Sequence, residues 1–413
     1  MKRVFYIFFA ISLFHNFTTA QQGWFVQYAL PNSSLQRIQM LDSLNGWTLE
    51  GDSVFNTTNG GQSWEWNNVG YGGYEDVYFI NNSTGWIAAG LYILKTTNAG
   101  QSWILQNSGP TQHRIIFVDD NTGFTFANTQ LCRRTTNGGV NWITTSIGAG
   151  SIAIFSAKFT NHDTGWVGGA NGNIYKTTNC GINWIQFNTG VATRLYDICF
   201  PSPDSGWAGG FDNSGESKII FTSNGGINWV TNYTDPQSQG VESIFFVNPK
   251  TGWAAGLPGK IMRTTNAGLN WELQQSNAGN IHLNSMYFVS PHVGWIVGES
   301  GNANSKILKT TTGGIVPITP TYHDIPLTYC LEQNYPNPFN PVTSISFDVL
   351  TKSVTSLCVY DFLGRQIAVL VNKELIPGSY SVDFNASQLP SGSYFYRLRS
   401  GSFTESKKMV LIK

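Results

Sequence analysis

The sequence predicts an all-β chain, a seven-bladed β-propeller followed by a small Ig-like β-sandwich. Three observations carry that reading. An eight-residue string returns at intervals of about 40 residues, and a Gly followed by an aromatic alternates with it seven times. After residue 314 the repeat stops, and the remaining chain reads as short alternating strands.

The string begins Thr57-Thr-Asn-Gly-Gly-Gln-Ser-Trp64 and recurs at Thr96–Trp103, Thr135–Trp142, Thr177–Trp184, Thr222–Trp229 and Thr264–Trp271. A truncated seventh copy spans Thr310–Gly314. The Gly-following aromatics are Trp47, Trp86, Phe124, Trp166, Trp207, Trp253 and Trp295. Of the 14 tryptophans, 13 fall on one of these two signatures, so tryptophan here serves the repeat. Each unit holds four short apolar segments split by turn residues, and four strands per unit of this length describe a propeller blade. Asn before Gly tolerates positive φ, so the box is expected to turn the chain between the third and fourth strands. Its Asn should bond nearby backbone amides, and its Trp should pack between adjacent blades.

The seventh box lacks a Trp and a fourth strand. Gly23 to Gln27 resembles the segment that follows each box, and Trp24 precedes Trp47 by 23 residues, inside the 21 to 24 seen elsewhere. The N-terminal strand is therefore expected to complete the last blade, leaving no open edge.

The chain start reads as an export signal over residues 1–20. Lys2 and Arg3 precede an apolar run from Val4 to Phe14, and small residues at Thr18 and Ala20 suit a cleavage site. No later segment is long and apolar enough to span a bilayer as a helix. The expected units are the propeller at 21–314, a Pro- and Thr-rich linker at 315–330 and a sandwich at 331–413.

Basic and acidic residues number 24 each, so no basic excess points to nucleic acid. The five cysteines show neither CxxC nor zinc spacing, and most are expected to be buried small hydrophobes. The six histidines are scattered singly, with His162 and His292 read as solvated turn residues. No phosphate-binding loop, metalloprotease helix or nucleophile elbow occurs, so no cofactor, metal or catalytic residue is assigned.

Candidate binding residues come from strand alternation. Ten residues before each Gly-following aromatic stand Arg37, Asp76, Arg114, Ser156, Asp197, Ser243 and Ser285. The positions after them are mostly apolar, so this polar row is expected to face the central channel. There it either grips a polar ligand or pairs across blades and stitches the channel shut. Rim segments add Tyr71, Tyr74, His113, Arg194 and His282, and the fifth blade carries an insertion at Phe211–Lys218. Aromatic and arginine side chains of this kind favour interfaces.

The box resembles the Asp-box (BNR) hairpin of sialidases, sortilin-type receptors and photosystem II stability/assembly-factor-like propellers, with Asn where the usual motif has Asp. The alternation with Gly-Trp strands brings residues 21–314 nearest the last group. In these families the box is a structural turn, so the resemblance implies fold and says little of activity. No arginine triad of sialidase type is evident. The tail, with Tyr335-Pro-Asn-Pro-Phe-Asn-Pro341, Asp361-Phe-Leu-Gly-Arg365 and a terminal Lys-rich strand, resembles the type A sorting domain of the type IX secretion system. That resemblance implies engagement of the secretion machinery through residues 331–413 and transit across the outer membrane of a Gram-negative bacterium. Such tags are commonly cleaved, the cargo being anchored at the surface or released.

The resulting expectation is a secreted or cell-surface, non-enzymatic binding or scaffold propeller with an unknown glycan or protein ligand. The alternative is an extracellular glycoside hydrolase or lyase of the Asp-box type, which needs two facing carboxylates among Asp76, Asp197, Glu75 and Glu242. A third reading is an assembly factor for another envelope protein.

Overall fold

The computed structural model describes residues 23–412, apart from positions 32, 110, 128, 130, 149–152, 237–239, 277, 301–303, 316–318, 321–325 and 327. The expected export segment lies outside the described residues, as does much of the linker.

Seven four-stranded antiparallel sheets form the propeller. The first blade runs outward from the channel as Leu35–Met40, Gly46–Glu50, Ser53–Thr57 and Glu65–Asn68. The next five repeat that order. In the seventh, His282–Phe288, Gly294–Ser300 and Asn304–Thr310 are joined on the outside by Trp24–Pro31, with Trp24 opposite Thr310. The innermost strands of successive blades pack on one another around a closed ring. The only helical element among the described residues is a 3-10 turn at Ala170–Gly172.

The two sequence signatures meet at each seam between blades. Trp47 of the first blade stacks on Phe79 of the second with centroids 3.7 Å apart, and Trp103 of the second blade's box meets the same ring edge-on at 5.9 Å. Trp86 with Phe117 and Trp142, Trp166 with Phe200 and Trp229, and Trp207 with Phe246 and Trp271 repeat this. Offset stacking and edge contacts of this geometry add to simple burial. The Gly explains itself on the other face, since a β-carbon at Gly85 would lie 2.6 Å from the Phe79 ring. Each Gly-following indole is also anchored. The Nε1–H of Trp47 donates to the Ala99 carbonyl at 3.0 Å, and Trp86, Trp166, Trp207, Trp253 and Trp295 do likewise to the same box position of the next blade.

Within a box, the turn is held by its own side chains. Thr57 Oγ1 accepts the Gly61 N–H at 2.8 Å, while Asn59 Oδ1 accepts the Ser63 N–H at 3.0 Å. The Asn is thus a local acceptor and supplies no surface chemistry.

The C-terminal unit is a sandwich of two four-stranded sheets. One is built on Val342–Val349 and Gly378–Asn385, the other on Ser353–Tyr360, Gln366–Leu375, Gly392–Ser400 and Phe403–Leu411. Inward-facing Ile345, Phe347, Leu357, Tyr396 and Leu398 fill the space between them. The five cysteines are all free, and only Cys330 is not buried.

Candidate binding site at the channel mouth

Most innermost strands carry a β-bulge just before the polar row, as at Tyr74/Asp76, Ile154/Ser156, Leu195/Asp197, Val241/Ser243 and Leu283/Ser285. A bulge inserts one residue and re-aims its neighbours. Two consecutive rows therefore reach the channel where strict alternation allowed one.

The polar row lines a channel cavity of about 350 Å³ through Arg37, Asp76, Arg114, Ser156, Asp197 and Ser285. Its oxygens are turned sideways to the next blade. Ile115 donates its N–H to Asp76 Oδ2 at 3.0 Å, and Ile244 donates to Asp197 Oδ2 at 2.9 Å. The Ser243 and Ser285 hydroxyls accept the N–H groups of Met286 and Ile38, at 3.1 and 3.3 Å. Ser156 donates to the Leu195 carbonyl at 3.3 Å, and Arg37 lies 3.9 Å from Asp76. Of the two roles open to this row, stitching is the one these bonds perform.

Burial pushes the Asp76 carboxyl up to about 6, against the opposing pull of Arg37 and of the Ile115 and Val77 N–H groups. Asp197 is raised for the same first reason, and Arg37, Ile244, Ser243 and Ile198 oppose it. Two largely enclosed carboxyls near one guanidinium form a costly set, tolerated because each oxygen is bonded.

The inserted row is one that sequence reasoning named only in part, through His113 at the rim and Glu75 and Glu242 as carboxylates. It comprises Gln36, Glu75, His113, Phe155, Tyr196, Glu242 and Asn284, which with Arg37 and Arg114 line a cavity of about 240 Å³ at the channel mouth. The only sequence signal was register, because each stands one residue ahead of the row chosen by alternation. Phe155 stacks on Tyr196 at 5.1 Å, and Tyr196 on Phe211 at 4.7 Å, making an aromatic run across the fourth and fifth blades. His113 faces Glu75 at 3.4 Å.

Beside the mouth, a groove of about 570 Å³ brings Arg194, Glu242 and His282 together under the fifth-blade insertion. The insertion is a built turn, with Asp212 Oδ1 accepting the N–H groups of Ser214 and Glu216 at 2.9 and 3.1 Å. Arg194 and His282 open the fifth and seventh blades' inner strands and are exposed. Burial raises Glu242 while Arg37 draws it down.

Tyr74 requires correction. Only 3% exposed, it packs with Trp47, Leu49 and Val77 in the seam between the first and second blades, so it presents no surface to a ligand. Its burial pushes the phenol up to about 12.

Residues 333–413 match the family of secretion system C-terminal sorting domains. The tail is a sorting domain. A chain that carries this sorting domain is exported, to be secreted or held at the cell surface, and engages secretion machinery through it. Residues 182–278 match the family of photosynthesis system II assembly factor YCF48. The propeller is similar to a solved structure described as YCF48 bound to D1 peptide, at 21% identity and a TM-score of 0.56 over 71% of this chain and 98% of that one. YCF48 from Cyanidioschyzon merolae aligns at 18% identity and a TM-score of 0.56, over 70% and 98%. The WD40 propeller of Doa1 aligns at 14% and 0.52, over 69% and 97%. These likenesses establish the propeller fold ahead of the sorting domain. Comparison with curated proteins gave no match.

Proposed function

We propose that this chain is an exported, non-enzymatic binding protein whose recognition face is the channel mouth and the groove beside it. One observation carries the reading. The carboxylates Asp76 and Asp197 are committed to backbone N–H groups, whereas Arg194 and His282 are exposed and the half-buried Phe155–Tyr196–Phe211 run lies along the mouth. Half-buried aromatic and exposed cationic side chains around a pre-formed hollow suit an extended polypeptide that brings an acidic group to Arg194 and His282 and a flat side chain to the aromatic run. That one similar propeller was solved with a peptide bound supports the same class of ligand.

The test is retention of peptides from an envelope and extracellular protein digest on the immobilised chain, against the variant Arg194→Ala/His282→Ala. Peptides retained by the parent and lost by the variant support the proposal. Retention of glycans alone redirects it to a lectin. Appearance of shortened glycans that depends on Glu242 overturns it in favour of hydrolysis.

A further inference from the structure

One seam departs from the other six. Between the third and fourth blades the stacking residue is Phe124, which has no N–H for the box carbonyl, although it stacks on Phe159 at 4.6 Å. The channel row gives no tie there either, because Arg114 Nη1 donates to the His113 carbonyl at 2.7 Å, within its own blade. The box residue facing Phe124 is Cys180, held at φ +56° and buried. The other boxes place Gly60, Ala99, Gly138, Gly225, Ala267 and Gly313 at that position, where a side chain beyond a methyl is uncommon.

His162, read from sequence as a solvated turn residue, stands beside this thiol. Its Nε2 lies 3.8 Å from Cys180 Sγ and 3.4 Å from Asp119 Oδ2. Ligand atoms at the corners of a zinc tetrahedron sit roughly 3.3–3.6 Å apart, given bonds of about 2.0–2.3 Å. Asp163 Oδ1 lies 2.7 Å from His162 Nδ1, the carboxylate contact that fixes the tautomer of a metal-ligating imidazole and leaves Nε2 to the ion. Asp119 is prepared in the same way. Its Oδ1 is occupied by the N–H groups of Asn121 and Thr122, at 2.8 and 2.6 Å, and its Oδ2 is the oxygen turned to His162. Arg134 Nη2 also touches Cys180 Sγ, at 3.5 Å, and would lie beside the thiolate that metal binding creates.

We propose that His162 and Cys180, with Asp119 facing the same imidazole nitrogen from across the seam, bind a zinc ion that clamps the third blade to the fourth. One sulfur, one imidazole and one carboxylate form a borderline-soft set that suits zinc over calcium or magnesium. His162 and Asp119 are 53% and 43% exposed, so the fourth position opens to water and the ion exchanges with solution.

The test is titration of the full, metal-free chain with Co²⁺ under reducing conditions. One equivalent should give a thiolate-to-cobalt absorption band and four-coordinate visible bands, both erased by Zn²⁺. Cys180→Ala should lose the band yet stay folded, since Ala99 and Ala267 occupy the same place in sister boxes at φ +61° and +63°. Asp163→Asn should keep the band with affinity lowered about 10–100-fold, as expected for a group that positions a ligand. Zinc should raise the unfolding midpoint of the parent but not of Cys180→Ala. A parent without the thiolate band, a band that survives in Cys180→Ala, or a midpoint that zinc leaves unchanged overturns the proposal.

Discussion

Asp197 Oδ2 accepts the N–H of Ile244 and the hydroxyl of Ser243, each at 2.9 Å and each from the neighbouring blade. Asp197 Oδ1 meanwhile accepts the N–H of Ile198 at 2.9 Å. Asp197→Ala would leave two backbone donors and a hydroxyl buried without this acceptor. A loss of about 3 kcal/mol is expected, since each unsatisfied buried group costs about 1–3 kcal/mol. Asp197→Asn keeps one acceptor and removes a buried charge, so its cost should be smaller. Urea denaturation of both variants at pH 7 ranks them, and equal stability would deny the stitching role.

Asp76 makes the stitch pH-dependent. Its folded carboxyl is raised from 3.8 to about 6, so the folded chain holds the proton more tightly than the unfolded one. Its contribution is therefore fully present below about pH 4 and is lost as pH rises through about 6. The stability difference between the parent and Asp76→Asn should shift against the parent across that window. Thermal melts at half-unit intervals from pH 4 to 7 measure it, and a flat difference would show that the carboxyl is not raised.

The indole anchors separate stacking from hydrogen bonding. Trp253 stacks on Phe288 at 3.8 Å and donates Nε1–H to the Gly313 carbonyl at 3.1 Å. Trp253→Phe keeps a stacking six-membered ring while it drops the donor and part of the indole's volume, as Phe124 does naturally at the third blade. About 1 kcal/mol is expected from the lost bond, and about 3–5 kcal/mol from Trp253→Ala, which also leaves a cavity. Chemical denaturation of the pair resolves the two contributions.

Blade number and strand order were legible because each blade repeats the same chemistry. A Gly that must lie on a Phe ring, a Trp that must stack across a seam and an Asn that must close a turn leave periodic marks. Alternation picked out the polar row and left out the one a residue ahead of it, since the bulges at Tyr74/Asp76 and Leu195/Asp197 break the two-residue period without changing composition. Tyr74 was misread for the same reason, as it precedes the bulge and turns into the seam. Cys180 and His162 gave no signal of their own, being 18 residues apart on different turns, and their other neighbour Asp119 belongs to another blade.

Ring closure gives the last prediction. Trp24 is 2% exposed, meets Phe288 edge-on at 5.7 Å and donates Nε1–H to Gln274 Oε1 at 2.8 Å. It thus fills in the seventh blade the place that box tryptophans fill elsewhere, although it lies about 290 residues from the strand it pairs with. Removing Trp24–Pro31 would expose the edge of Asn304–Thr310 and uncover Phe288, leaving unpaired N–H and C=O groups beside an apolar face. Because that strand is the outer edge of the seventh blade and runs directly into the first, the loss should reach beyond one blade. The truncated chain is expected to aggregate or to lose its cooperative transition, whereas Trp24→Phe should unfold cooperatively at a lower midpoint. Size-exclusion chromatography with thermal melts distinguishes them, and a truncated chain that stayed monomeric with the parent midpoint would show that the strand does not close the ring.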